Sequence, residues 1–258
     1  MIQTLIILTI IFLGGIAGYL ERSLSSNGAI AAVIVGAAVY FGFGLKGLLL
    51  LGIFFATSST WSKYKSSAKK EMEEKLAKGA TRDWRQVMAN GGSSALISII
   101  YYFQHDIVWL IGFIVCLASA NSDTWASEIG ALSKKKPLYI RTFKPIEKGT
   151  SGAISLLGTT AAIFGSMLIA VFGTWLFHLE IFHLIIIFLF GFLGNTIDTL
   201  LGAYYQQVYV CRRCGIETEK KVHCQTAAKR IKGFHLVDND MVNFLSGFIA
   251  AILAMIVI

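Results

Sequence analysis

Charge is scarce in this chain. Of its 258 residues only 15% are Asp, Glu, Lys or Arg, where a soluble domain carries roughly a quarter. That deficit excludes a secreted globular protein. Proline is nearly absent, at Pro137 and Pro145 alone, and both stand between apolar runs. There is no Walker lysine loop, no Gly-x-Ser-x-Gly elbow and no dinucleotide fingerprint, so any phosphoryl chemistry must use a different scaffold. The four cysteines form no disulfide framework: Cys116 lies within an apolar run, and the other three cluster in one basic loop. The first run, Thr4 to Leu20, has neither a basic n-region nor a small-residue cleavage site. With more runs behind it, it reads as a retained helix, not a signal peptide.

What remains is 55% hydrophobic, with 25 glycines placed mostly inside the apolar runs, as close helix packing in lipid requires. The runs are long enough to span a hydrocarbon core of about 30 Å as helices. Eight helical candidates emerge, at about 2–20, 28–43, 46–60, 88–104, 107–129, 151–177, 182–207 and 241–258. The second and third meet at a glycine-rich turn near Gly42 and Gly44 and could be one broken hairpin. The expected fold is all-α: a polytopic integral membrane protein of about eight transmembrane helices, or seven. Residues 1–258 form a single membrane domain with cytoplasmic loops at about 61–87, 131–150 and 208–240.

Charge distribution sets the expected orientation. Residues 61–86, 131–150 and 209–240 hold 21 of the 23 Lys and Arg residues. Eight spans put all three stretches on one side, which the positive-inside rule makes cytoplasmic, and leave both termini outside. The expected location is the cell membrane, multi-pass, with the active face cytoplasmic. The net charge of +8 then reflects basic loops and calls for no nucleic-acid partner. Lys63 to Lys78 (KYKSSAKKEMEEKLAK) reads as an amphipathic helix of mixed charge at the membrane surface.

Ionisable residues at membrane-helix ends are costly and usually serve a purpose. The fifth run closes with Asn121-Ser122-Asp123-Thr124-Trp125-Ala126-Ser127-Glu128, the seventh contains Asn195-Thr196-Ile197-Asp198, and the last follows Asp238-Asn239-Asp240 and includes Asn243. Asn195 and Asp198 share a helix face, as do Asn121 and Glu128. Carboxylates from different helices, joined by Asn and Ser oxygens, make the oxygen shell that Mg²⁺ prefers, and Asp123 with Asp198 are the expected metal pair. Helix capping or pairing with loop lysines is the other reading of these acids.

A second feature is the turn Lys148-Gly149-Thr150-Ser151-Gly152 ahead of the sixth run. A glycine- and hydroxyl-bearing turn opening a helix aims backbone N–H groups at an anion, here the phosphates of a nucleotide, although a plain Ser/Thr cap has the same spelling. Arg82 and Arg85 suit a phosphate clamp or a positive-inside anchor, and Asn90 lies beyond them at membrane depth. Cys211, Cys214, His223 and Cys224 supply a Cys₃His set for structural Zn²⁺, or stand as reduced thiols; the adjacency of His223 and Cys224 is awkward for one tetrahedral ion.

Taken together, Gln86-Val87-Met88-Ala89-Asn90-Gly91-Gly92, Ser122-Asp123-Thr124-Trp125-Ala126-Ser127-Glu128-Ile129-Gly130, Lys148-Gly149-Thr150-Ser151-Gly152, Ile197-Asp198-Thr199-Leu200-Leu201-Gly202 and Asn239-Asp240-Met241-Val242-Asn243 resemble a known family. It is the integral membrane family of the plant phytyl-phosphate kinase and animal transmembrane protein 19, similar more distantly to CTP-dependent polyprenol kinases and phosphatidate cytidylyltransferase. The resemblance covers nearly the whole chain from about residue 27. It implies an Mg²⁺-dependent kinase that moves a phosphoryl group from CTP or another nucleoside triphosphate to an isoprenoid lipid monophosphate. In that reading Asp123, Asp198 and Glu128 are catalytic. Asn90, Asn121, Ser122, Lys148, Gly149, Thr150, Ser151, Gly152, Asn195, Asn239, Asp240 and Asn243 surround nucleotide and phosphate. Cytidylyl transfer to a lipid phosphate, or anionic-lipid transport without catalysis, are the rival expectations.

Overall fold

A computed structural model describes residues 2–64, 76–77, 79 and 81–258. Seven helices carry the fold: α1 (Ile2–Leu20), α2 (Ser26–Lys63), α3 (Trp84–Gln104), α4 (Ile107–Gly130), α5 (Leu156–Phe177), α6 (Ile181–Tyr204) and α7 (Asn239–Val257). Six of them, all but α3, are long and apolar enough to cross a membrane. α3 is more polar because Asn90, Ser93, Ser94 and Ser98 lie along it; the three serines are buried.

α2 is not straight. Gly44 sits at φ 62° and ψ −152°, outside any helical region, and the chain doubles back there. A Cβ built on Gly36 would lie 3.9 Å from the Leu48 side chain, twelve residues on, which a continuous helix could not allow. At the other end Lys63 Nζ meets the Glu21 carboxylate at 3.2 Å, so both arms start and finish beside the end of α1. The arms are the expected segments 28–43 and 46–60. With the residues flanking them in Ser26–Lys63, each arm is about 27 Å long at 1.5 Å per residue, close to the thickness of a hydrocarbon core.

Connections at the far end are short. His105 and His178 adopt left-handed conformations that end α3 and α5, and Asp106 caps α4 by accepting from Val108 N–H at 2.9 Å. All the long connections therefore lie at the opposite, polar end. Arg22 joins them there, whereas Lys46 sits at the far end, 5.9 Å over the Phe177 ring.

α4 is the axis of the bundle. Its residues Leu110 to Ser119 are buried, packed by α3, α5, α6, α7 and an arm of α2. Glycines permit this crowding: a Cβ on Gly194 of α6 would fall 2.0 Å from Ser119 Oγ of α4, and one on Gly158 of α5 would fall 2.9 Å from the Ala126 carbonyl. α1, by contrast, packs mainly on α2 and leaves most of its side chains exposed.

The polar connections contain short strands, so the chain is mostly helical and not all-α as expected. β1 (Leu138–Tyr139) pairs antiparallel with β2 (Ala153–Ile154). After α6, β3 (Val208–Val210) is the centre of a three-stranded sheet between β4 (Glu217–Thr218) and β7 (Lys229–Lys232), while β5 (Val222–His223) and β6 (Thr226–Ala227) form a separate hairpin. β2 also corrects the sixth helix: it begins at Leu156 behind its Ser155 cap, not at 151, because Ala153 and Ile154 are drawn into pairing with β1. The amphipathic helix expected over Lys63 to Lys78 falls largely outside the described residues.

Candidate functional site

A cleft of about 690 Å³ opens at the polar end of the bundle, and a smaller one of about 200 Å³ shares Asp123, Ser127, Asp198, Gln206, Glu219 and Asn239 with it. Its floor is set by helix register. α4 and α6 both run towards the polar end, and they touch where Gly194 faces Ser119. One turn further along each helix stand Asp198 and Asp123, and their carboxyl groups come within hydrogen-bonding reach of each other. A close glycine contact thus fixes the spacing of the acid pair one turn above it.

α7 closes the third side. The Ser246 hydroxyl lies 3.2 Å from Asp198 Oδ2. With its amide nitrogen turned towards acceptors, Asn243 donates to Asp198 Oδ2 at 3.0 Å and to the Asn239 carbonyl at 3.1 Å. Two carboxylates from separate helices, facing a polar cleft with amide and hydroxyl oxygens beside them, are a donor set that a hard divalent cation fits.

Cationic groups ring this floor. Arg85 pairs with Asp238 at 2.6 Å and Asp240 at 3.6 Å. Arg82 donates to Ser59 Oγ at 3.1 Å; burial lowers its affinity for a proton, and the nearby Glu128 charge opposes that effect. Glu128 in turn accepts from the Ser62 hydroxyl at 2.7 Å. Asn90, Asn239, Lys220 and Lys221 complete the wall.

Other expected site residues occupy different places. Asn121 and Ser122 point away from the cleft, because successive helical residues are turned by about 100°. Asn121 is fully buried: its Oδ1 lies 3.1 Å from the Thr57 hydroxyl and 3.2 Å from that of Ser58, and its amide donates to the Gly165 carbonyl at 2.8 Å. Ser122 donates to the Ala162 carbonyl at 2.9 Å. Both tie helices together. Asn195 borders the smaller cleft.

The turn at 148–152 borders that smaller cleft too, with Gly149 at φ 79° and Gly152 at φ 87°. A Cβ on Gly152 would meet Ala203 Cβ at 2.5 Å. Because β2 and Ser155 intervene, this turn does not open α5, and the helix dipole does not act on it. Thr150 donates to the Glu147 carbonyl at 2.9 Å. Lys148 uses its ammonium on the carbonyls of Ala131 and Ser133, capping the end of α4. Lys232 does the same for α6, donating to the Gly202 carbonyl at 3.1 Å.

Glu219 escaped the sequence reading. It lies on the loop after β4, yet its carboxylate reaches the cleft, accepting from Gln206 Nε2 at 2.7 Å, Ala77 N–H at 3.2 Å and the Ser151 hydroxyl at 3.4 Å. Burial raises its pKa above the ordinary carboxylate range, partly offset by those donors. No periodicity connects a loop residue to a helical site; the one available signal was an acid between two ligand-like clusters.

Those clusters meet. The ligand atoms of Cys211, Cys214, His223 and Cys224 lie within 4.8 Å of one another. The Cys211 thiol is held down to about 6, chiefly by the Cys214 N–H, while Cys224 is pushed up to about 11, chiefly by the neighbouring Cys214.

Fold and cleft together define a class: a polytopic helical membrane protein with a paired-acid, cation-ringed cleft at one end of its bundle. The chain belongs to the family described as integral membrane protein DUF92, whose model matches residues 9–251, the family in which the sequence motifs placed it. It is 30% identical to Protein PGR of Arabidopsis thaliana over 92% of this chain and 90% of that protein. It is 38% identical to an uncharacterized membrane protein of Methanocaldococcus jannaschii over 72% of this chain and 76% of that one. Similarity to the chloroplastic Protein VTE6 of Arabidopsis thaliana, at 24% identity, covers 92% of this chain and 66% of that protein. No solved structure matches the chain.

Proposed function

We propose that this protein is an isoprenyl-phosphate kinase that transfers a phosphoryl group from a nucleoside triphosphate, CTP by preference, to a lipid monophosphate at the cytoplasmic face of the cell membrane. The observation that carries the reading is the Asp123–Asp198 pair, set by α4 and α6 at the floor of a basic-rimmed cleft. Family membership supports it, because the motifs that mark this family resemble those of the plant phytyl-phosphate kinase group.

Asp123 and Asp198 would hold Mg²⁺, with Asn243 and Ser246 orienting Asp198. The ion supplies charge neutralisation of the transferring phosphoryl group. Lys220, Lys221 and Arg85 line the cleft and attract the triphosphate, and the glycine turn borders the smaller cleft that shares its acid pair. The lipid phosphate is already ionised near neutral pH, so no strong general base is needed. Its oxygen forms a bond to the terminal phosphorus while the bond from that phosphorus to the bridging oxygen breaks, leaving a nucleoside diphosphate and a prenyl diphosphate. Positioning and charge stabilisation supply the rate. The isoprenoid tail stays in lipid.

Charge supports this orientation: the polar end carries every described Lys and Arg except Lys46, and the positive-inside rule favours that end facing the cytoplasm with both termini outside. Purified protein incubated with Mg²⁺, CTP and a series of prenyl monophosphates should yield prenyl diphosphate and CDP. Release of pyrophosphate with a CDP-lipid would make it a cytidylyltransferase, and absence of any nucleotide-dependent product would remove the kinase reading.

A further inference from the structure

The loop between α6 and α7 spends four metal-ligating side chains at one point, away from the acid pair. Cys211 and Cys214 come from a tight turn in which Gly215, at φ 75°, donates its N–H to the Cys211 carbonyl at 2.9 Å and Cys211 N–H bonds the Ile216 carbonyl at 3.0 Å. The amides of Arg213 and Cys214 are directed at Cys211 Sγ. His223 and Cys224 come from the β5–β6 hairpin. Its two turn residues, Cys224 and Gln225, both take left-handed backbone, φ 49° and 60°, where such turns prefer Asn-Gly. That strained turn resolves the adjacency problem: it swings Cys224 Sγ to 3.3 Å from the ring Nδ1 of its own neighbour His223, while Cys214 Sγ lies 3.4 Å from the same nitrogen. Zinc bonds of about 2.3 Å to sulfur and 2.0–2.1 Å to nitrogen in a tetrahedron require edges of roughly 3.5–3.8 Å. All four ligand atoms lie within 4.8 Å of one another, so closing on an ion tightens the widest pairs by at most about 1 Å.

We infer that Cys211, Cys214, His223 and Cys224 bind one structural Zn²⁺, and that this ion pins the segment delivering Glu219 to the cleft. Glu219 stands between the two ligand pairs, directly after β4, whose pairing with β3 is registered at Tyr209↔Thr218 and Val210↔Glu217. Clamping Cys214 to His223 closes the loop from both sides. The carboxylate then projects onto Gln206 and Ser151 without support from a helix of its own. Four protein ligands leave no open coordination position, so the ion is structural and takes no part in phosphoryl transfer. Two successive left-handed non-glycine residues are strained backbone, the kind of cost that metal binding offsets.

The zinc half stands apart from the kinase reading; the link to activity rests on it. The full chain purified in detergent should contain about one zinc per chain by elemental analysis. Cobalt exchanged into the site should show thiolate charge-transfer and tetrahedral d–d absorption. Cys211→Ser with Cys214→Ser should lose the metal and the cobalt spectrum. His223→Cys preserves four ligands and should keep metal where His223→Ala loses it, a comparison that survives if the double serine variant misfolds. Wild-type protein that neither contains nor takes up zinc, or equal metal content in all variants, would overturn the site. For the coupling, His223→Ala and Glu219→Ala should each lower transfer, and the double variant should be no worse than the weaker single one. Full multiplicative loss would sever zinc from Glu219. A wild type that binds zinc but makes no product would remove the kinase and leave the metal site standing.

Discussion

Gln206, two residues beyond the end of α6, donates a 2.7 Å hydrogen bond to Glu219, a residue of the following loop. A carboxylate is thereby held in a cleft that already contains Asp123, Asp198 and Asp240. Glu128 and Asp238 line it as well, and this crowding of acids favours a bound cation over the empty protein.

Glu219 should therefore act against stability. Its pKa is raised in the folded protein, so the folded state holds its proton more tightly than the unfolded state does. Stability contributed by the protonated form is lost as pH rises from the ordinary carboxylate range through the raised value. Glu219→Gln should remove that slope. Above neutral pH, without divalent cation, its thermal midpoint should equal or exceed that of wild type, although Ala77 N–H loses an acceptor. Transfer activity should fall. A midpoint lower than wild type under those conditions would mean Glu219 is a structural tie.

Asp123→Asn and Asp198→Asn preserve shape and remove one charge each from the proposed cation site. Each should lower phosphoryl transfer by about 10²–10³ while the protein stays folded in detergent. The check is single-turnover product formation beside size-exclusion behaviour. Near wild-type turnover in both would end the metal assignment.

The glycine turn and Lys148 should separate cleanly. Gly152→Ala forces a side chain into left-handed backbone and onto Ala203, costing roughly 1–3 kcal/mol at the turn, and should weaken nucleotide affinity. Lys148→Ala removes a cap on the end of α4, where the ammonium is already engaged by the Ala131 and Ser133 carbonyls, so its effect should be on thermal stability, by a few tenths to about 1 kcal/mol, with nucleotide affinity little changed. Equilibrium binding of a non-hydrolysable triphosphate and a melting curve on each variant test both statements.

Orientation is open to direct measurement. A protease site inserted at Lys135 should be protected in intact cells, whereas one inserted at Glu180 should be cut. Cleavage at Lys135 from outside would reverse the topology.

Much of this architecture could be read from the residues. Uninterrupted apolar runs mark the spans, and basic loops mark one end, because both depend on local composition. The break in α2 was also legible, since Gly42 and Gly44 interrupt a run too long for one crossing. Asp123 and Asp198 stood out because an acid at the end of an apolar run is expensive. What could not be read depended on direction: Asn121, two residues before Asp123, looks equivalent in sequence but faces the opposite side of α4. Lys148 reads as a phosphate ligand in sequence, but its ammonium turns back onto the Ala131 and Ser133 carbonyls. Glu219 depends on the path of a loop, which no helical spacing encodes.

The burial of Asn121 also constrains how the protein is made. Its amide is satisfied by Thr57 and Ser58, which are synthesised before it, and by Gly165, which is synthesised after it. When α4 leaves the ribosome, the two hydroxyl partners exist and the carbonyl partner does not. An isolated segment bearing Asn121, Ser122 and Asp123 is a poor candidate for release into hydrocarbon by itself. α4 should consequently wait at the insertion machinery until α5 has emerged. Truncations ending before Gly165 should leave it poorly integrated, and the hairpin of α2 then serves the nascent chain as the first half of a shelter for its central helix.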